Sequence, residues 1–323
     1  AISGSGPATV AAIGGLTIPS MLKQGYDRPY CSAITAAAGS IGVIIPPSIP
    51  MVMYSVATGA SVGAMFLGGM IPGILIGVSL CIYTTFYCKK RNYINKEAKP
   101  FSWGNVFHAL KDGIWALLVP VIILGGIYGG IFTPTEAAAV AVAYGLIVGL
   151  FVYRDLKFKD LYNIFSNAAL TTATVLIILG TATTFGRILT LQRIPTMIAD
   201  AFTSISDSKY VLLVLINLLL LVVGCFMETN AAIIILAPIF LPIVEAAGVD
   251  PVHFGIIMVV NLAIGFVTPP LGVNLFVACN TAGAKLEEIV KGILPILGVM
   301  IIDLLLITYI PQLTMLLPNL LNY

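Results

Sequence analysis

An all-α polytopic membrane protein is the fold class that the sequence predicts, on three observations. Of 323 residues, 59% are hydrophobic and 9% charged, with a mean hydropathy of +1.04, whereas a soluble domain carries about a quarter charged residues. Apolar runs recur at residues 114–132, 137–153, 170–189, 211–226 and 293–317, each near or above the ~17–25 residues a helix needs to cross a bilayer. Two more apolar stretches, "IGVIIPPSIPMVMYS" (41–55) and "IGFVTPPLGVNLFVA" (264–278), carry a double proline at their centre. Each proline removes a backbone donor and disfavours helix at the residue before it, so both segments are expected to break at membrane depth.

The rest of the composition narrows the class little. The net charge of +2 is uninformative as a total, and nothing points to nucleic acid. Cys31, Cys81, Cys88, Cys225 and Cys279 lack metal-ligand spacing and read as small buried hydrophobes. The opening "AISGSGPAT" has no initiator Met, so a longer chain with an upstream segment is expected.

The double prolines belong to an internal repeat. An offset of 223 pairs Pro47 with Pro270, and also Pro19 with Pro242, Gly25 with Gly248, Asp27 with Asp250, Gly42 with Gly265, Gly69 with Gly292 and Pro72 with Pro295. Laid without gaps, residues 1–77 match 224–300 at twelve positions, eight of them Gly, Pro or Asp, the residues that punctuate backbone geometry.

Loop charges then orient the copies. "MLKQGYDRPY" carries Lys23 and Arg28, while its counterpart "VEAAGVDPVH" has neither Lys nor Arg; "TGASVGAMFLGG" is uncharged, while "TAGAKLEEIVKG" carries Lys285 and Lys291. Basic loops mark the cytoplasmic side, so corresponding loops face opposite sides. The basic linkers "CKKRNYINKEAK" and "RDLKFKD" bracket one outward and one returning helix, which agrees. Inverted repeats with discontinuous helices are the architecture of secondary transporters, whose sites lie at the midplane breaks.

Upstream of each break lies a second interruption, "SGSGPAT" (3–9) and "FMETNAA" (226–232). Each precedes an apolar run of about a dozen residues ending at Pro19 or Pro242, too short to span. Both read as re-entrant hairpins with tips at mid-membrane. Ser3, Gly4, Ser5 and Gly6 would stand at a half-helix N-terminus, which favours anions. Glu228 is an ionisable group in an apolar setting, which marks a functional site; it is equally placed to cap the following half-helix.

With tips and breaks assigned, the chain resembles the large membrane (M) subunit of tripartite ATP-independent periplasmic (TRAP) transporters, most like the sialic-acid members. "SGSGPATVAAIG", "IPSMLKQGYD", "AAAGSIGVIIPPSIPMVMY", "GGIFTPTEAAAVAVAYGL" and "GFVTPPLGVNLFVA" carry the resemblance across most of the chain. It implies an elevator in the bacterial inner membrane that imports an organic acid, best matched by sialic acid, together with Na⁺. It also implies a small membrane (Q) subunit, fused or separate, and a periplasmic substrate-binding (P) protein. No enzymatic activity and no cofactor beyond the coupling ion are expected. The transport domain would comprise residues 1–77 and 224–292, with scaffold and arm helices at 78–223 and a C-terminal transmembrane helix at 293–323.

Carried over by position, the resemblance implies one Na⁺ site among Ser3, Ser5, Gly42, Ile45 and Pro46, and a second among Met227, Glu228, Thr229, Gly265 and Thr268. Carbonyls freed by a proline break offer oxygen to a hard cation. Thr268 adds a hydroxyl that Ile45, its repeat partner, cannot, so the sites should differ. Substrate contacts would come from Ser3, Ser5, Ser48, Asn274 and Asn280, the last three of which read equally as caps or interhelical glue. Arg187 and Arg193 are expected to snorkel to an interface, and Glu136 to cap a helix after Pro134. Residues 101–113, with Trp103 and His108, read as a cytoplasmic amphipathic arm, and His253 as an inert outer-loop histidine.

Two rival readings remain at this point. Ser5 with His253 as base would make an intramembrane hydrolase, although no oxyanion loop is evident. A Na⁺-coupled dicarboxylate symporter needing no binding protein would share the hairpins and breaks.

Overall fold

The computed structural model describes residues 3–93, 102–194, 197 and 208–323, and these are helical with no strand among them. Seven of their helices are long and apolar enough to cross a membrane, or eight when the bent pair Arg28–Ile44 and Ile49–Thr58 is taken as one span. The chain divides into two compact units, residues 95–177 and the remainder.

In the larger unit the first copy comprises α1 (Gly6–Lys23), α2 (Arg28–Ile44), α3 (Ile49–Thr58) and α4 (Val62–Lys90). After α5 to α7 come α8 (Lys209–Phe226) and then the second copy: α9 (Thr229–Ala246), α10 (Pro251–Gly265), α11 (Val273–Ala282) and α12 (Leu286–Tyr309). A short α13 (Gln312–Leu320) ends the chain. The 293–317 run therefore divides at Ile310–Pro311 instead of forming one helix.

The repeat is present as structure, with one amendment. α1 and α9 both have 18 residues and begin at the offset of 223, as do α2 and α10. Beyond the breaks α11 and α12 begin one residue late, at 224, and so does the left-handed glycine pair Gly59 and Gly283. The gapless alignment thus slips by one residue, because α10 is two residues shorter than α2 while its join to α11 (266–272) is three longer than the join of α2 to α3 (45–48). Neither Pro19 nor Pro242 ends its helix, contrary to the short-run expectation. A proline removes one hydrogen bond, and both helices run on through that loss.

The copies interlock. α1 packs on α2 and on α11 of the other copy, while α9 packs on α10 and on α3. α10 lies at the centre, buried from His253 to Gly265, as suits a helix apolar all round. α2 bends into α3 by 42°. α4 runs unbroken through the expected boundary at residue 77 and packs with α12 and α13 in this unit.

A buried polar network ties α10 to its neighbours. Asn261 donates to Asn217 Oδ1 (2.8 Å), and Asn217 donates to Thr308 Oγ1 (3.0 Å). His253 is 3% exposed, with Nδ1 2.7 Å from Thr314 Oγ1 and Nε2 3.2 Å from the Thr308 carbonyl. His253 is therefore no outer-loop residue: the helix begins at Pro251, and Asp250 caps it.

The smaller unit holds α5 (Trp103–Tyr128), α6 (Pro134–Ile147) with a π-helical turn at Val148–Val152, and the start of α7 (Phe158–Leu191). Tyr144 and Tyr153 donate to the carbonyls of Trp115 and Asp112, pairing α6 with α5. The expected separate arm is instead the first turns of α5; Phe101 lies outside the described residues. Glu136 and Thr133 form a reciprocal capping box at the start of α6, the role assigned to Glu136 from sequence. Arg187 is exposed on α7, and Arg193 is exposed just beyond it.

Candidate functional site: two hairpin tips against two broken helices

The first tip is an oxygen-rich turn. Ser5 is the N-cap of α1, its Oγ accepting from Ala8 N, with Pro7 in the first turn where a missing donor costs nothing. Its carbonyl accepts from Thr9 Oγ1 (2.8 Å) and from Ser3 Oγ (3.2 Å), and the two hydroxyls lie 3.1 Å apart. Three oxygens from Ser3, Ser5 and Thr9 thus converge beside the first break. A Cβ at Gly42 would lie 2.5 Å from Thr9 Oγ1 and 3.4 Å from the Ser5 carbonyl, and one at Gly4 would lie 3.1 Å from the Pro47 carbonyl.

The break supplies a further oxygen. Prolines at 46 and 47 leave the carbonyls of Gly42 and Val43 without their helical donors. Ser48 Oγ takes the Val43 carbonyl while capping α3 by accepting from Met51 N. The Gly42 carbonyl loses its helical donor to Pro46, and the Gly42 backbone lies against Thr9 of the tip. Neutral hydroxyl and carbonyl oxygens in this density suit a small hard cation.

The structure brings Ser3, Ser5, Gly42, the Pro46–Pro47 break and Ser48 to one place, and adds Asn274 from the other copy. Asn274 is fully buried on α11; its Nδ2 donates to the Ala36 carbonyl (3.1 Å) and to Ser40 Oγ (3.2 Å). Its Oδ1 has no partner and lies 3.1 Å from where a Cβ on Gly6 would stand. Asn280 is exposed near the far end of the same helix, away from this cluster. Asn274→Asp keeps the shape but removes both donors and opposes a carboxylate oxygen to the Ala36 carbonyl. Loss of about 3 kcal/mol is expected, read as a lower midpoint of thermal unfolding of the purified protein.

The second tip is Met227–Glu228, between α8 and α9. Glu228 is exposed and caps α9, accepting from Ala231 N (3.0 Å) and from Asn230 Nδ2 (2.8 Å). Thr229 is 1% exposed and its hydroxyl has no partner. One turn earlier the backbone of Gly224 meets that of Gly265 so closely that a Cβ on Gly265 would lie 2.4–2.5 Å from Gly224 backbone atoms.

This break closes on itself where the first stays open. The Gly265 carbonyl accepts from Thr268 N (3.1 Å) and the Phe266 carbonyl from Asn274 N (3.0 Å), while Thr268 Oγ1 donates to the Ile264 carbonyl (2.8 Å). The two breaks differ in their freed carbonyls as well as in the threonine hydroxyl.

The sequence profile described as "Tripartite ATP-independent periplasmic transporter, DctM component" matches residues 1–313. The chain belongs to this family. It is 55% identical over 315 residues to the isethionate TRAP transporter permease protein DctMQ of Oleidesulfovibrio alaskensis, covering 98% of this chain and 49% of that protein. Two large permease proteins of Vibrio cholerae follow. The C4-dicarboxylate DctM is 43% identical over 344 residues, 99% of this chain and 75% of that protein. The sialic acid SiaM is 42% identical over 319 residues, 99% and 74%. The chain thus spans about half of the first relative and three quarters of the others.

A DctM-family chain with these helices is a multi-pass protein of the bacterial inner membrane and not an enzyme. The hydrolase reading also fails locally, since both ring nitrogens of His253 are engaged by Thr314 and Thr308. Thr9 is the site residue that sequence reasoning missed. Its helical spacing of four from Ser5 carried the signal, because a threonine there bonds back to the N-cap carbonyl.

Proposed function

We propose that this chain is the substrate- and ion-carrying part of a TRAP large permease that imports a small organic acid with Na⁺ by an elevator movement. A periplasmic binding protein would deliver the acid, and a small membrane subunit, fused or separate, would complete the scaffold. The observation that carries this reading is the convergence of Ser3, Ser5 and Thr9 oxygens in a tip packed against Gly42 of the first break, with Asn274 of the other copy beneath the same tip. Cation ligands and a polar amide from both repeats meet where the substrate's carboxylate or sulfonate would approach a helix N-terminus. Glu228 and Thr229 would serve a second Na⁺ with Thr268.

Among acids, the 55% identity to an isethionate permease, against 42% to a sialic acid permease, supports a two-carbon sulfonate ahead of the sialic acid expected from the motifs. The test is uptake by the full-length complex in proteoliposomes, with labelled isethionate, sialic acid and succinate. Na⁺ gradient and purified binding protein are each supplied or withheld. Isethionate uptake requiring both is the expected result. Uptake that needs Na⁺ but no binding protein would favour the independent dicarboxylate symporter, and sialic acid as the sole substrate would restore the motif-based expectation.

A further inference from the structure

Away from both tips, α4 and α12 cross with a hydrogen bond between Ser79 Oγ and Asp303 Oδ1 at 2.8 Å. The two residues are 224 apart, the register that relates the copies beyond their breaks, so the contact joins equivalent positions of the two halves. Ser79 precedes Lys89 by ten residues and Asp303 follows Lys291 by twelve. At 1.5 Å per residue these are depths of about 15 and 18 Å from basic, cytoplasmic ends, the middle of a hydrocarbon core about 30 Å thick. Asp303 is 2% exposed, and its Oδ2 is buried without a partner among the described residues.

Asp303 lines a cleft of about 410 Å³, open along exposed Ile82, Phe86, Ile302 and Leu306 and walled also by Tyr83. The volume falls in the range of small-molecule sites. A buried polar atom without a partner calls for one, and an acid deep in the membrane is a functional position by default. Aromatic rings beside a carboxyl, with an apolar trough leading away, are the chemistry that recognises an organic ammonium. The lining offers no basic group to an organic acid, which sets this cleft apart from the transport site.

We propose that the α4–α12 cleft binds lipophilic amines from the membrane phase, the ammonium head on Asp303 and the chain along Ile302 and Leu306. The neutral amine enters from lipid and takes the acid proton, so the carboxylic acid becomes carboxylate and the amine becomes ammonium. No net charge crosses the interface, and the resulting ion pair supplies the partner that Oδ2 lacks.

The experiment uses the full-length complex in vesicles of zwitterionic lipid, treated at neutral pH with dicyclohexylcarbodiimide and analysed by peptide mass spectrometry. The acid proton passes to a carbodiimide nitrogen, the carboxyl oxygen adds to the central carbon, and an oxygen-to-nitrogen acyl shift leaves an N-acylurea with nothing lost. Modification of Asp303 is expected. Dodecylamine at about four times its dissociation constant should slow it roughly fivefold, as the (1 + [L]/Kd) factor requires, while dodecanol at the same concentration should not. Ser79→Ala, which keeps the acid, should still be modified. An unmodified Asp303 in folded, transport-competent complex overturns the proposal, as does equal protection by dodecanol.

Discussion

Gly265→Ala is expected to abolish the folded transporter. The added methyl would sit 2.4–2.5 Å from the backbone carbon, Cα and oxygen of Gly224, a separation that no side-chain rotation can relieve, because the obstructing atoms are main chain. Accommodation requires α8 to move away from α10, the most buried helix of the larger unit. That movement would pull on the Asn217–Asn261 hydrogen bond, which joins the same two helices. Overpacking in a tight core costs about 3 kcal/mol or less; with backbone as the obstacle, a cost above that figure is expected. Gly298→Ala on α12 is the control, since nothing lies within 4 Å of its Cβ position and alanine favours helix by up to about 1 kcal/mol. Thermal unfolding in detergent and uptake in vesicles check both. Loss of Tm and transport in Gly265→Ala, with neither lost in Gly298→Ala, is the expected pair of results. A Gly265→Ala protein that unfolds at the parental temperature would show that the two backbones are not this close.

The degree to which this architecture could be read from sequence follows from what each feature depends on. Spanning helices depend on composition over twenty residues, and the apolar runs located α5, α6, α7 and α8 within a few residues at most ends, although α5 and α7 begin about a dozen residues before their runs. The breaks depend on two adjacent prolines, whose effect is local, and both copies were legible for that reason. Pairings across the fold depend on helix packing, which leaves no local trace. Gly42 reads as a helix punctuation mark, yet its smallness serves Thr9 of another helix. His253 follows Asp250–Pro251, a dipeptide that suggests a loop, and only the packing of α13 makes it a buried partner of Thr314. The one-residue slip beyond the second break escaped a gapless alignment because Gly69 and Gly292, and Pro72 and Pro295, still coincide at the old offset. Asp303 is inconspicuous from sequence, since one acid among residues 293–317 barely changes the hydropathy of that run.

Glu228→Gln is expected to raise the Na⁺ concentration for half-maximal uptake about tenfold, or ~1.4 kcal/mol, while leaving the fold intact. The separation of the two effects rests on geometry. Oε2 accepts from Ala231 N as the cap of α9 and Oε1 accepts from Asn230 Nδ2. A glutamine amide oxygen can keep the Ala231 contact but brings no negative charge. The cap therefore survives and the charge does not. Glu228→Ala removes both, so it should lower Tm as well as Na⁺ dependence, and the difference between the two variants isolates the carboxylate's contribution to the ion. Thr229 gives an internal comparison, because its buried hydroxyl has no partner among the described residues and no cap depends on it. Under the proposed second Na⁺ site, Thr229→Val should shift Na⁺ dependence in the same direction as Glu228→Gln without a loss of Tm. If Glu228→Gln transports as the parent does at every Na⁺ concentration, the carboxylate acts as a helix cap alone. The second ion must then be held by the tip backbone with Thr268, or be absent, and a Na⁺ stoichiometry measurement on the same vesicles would tell these apart.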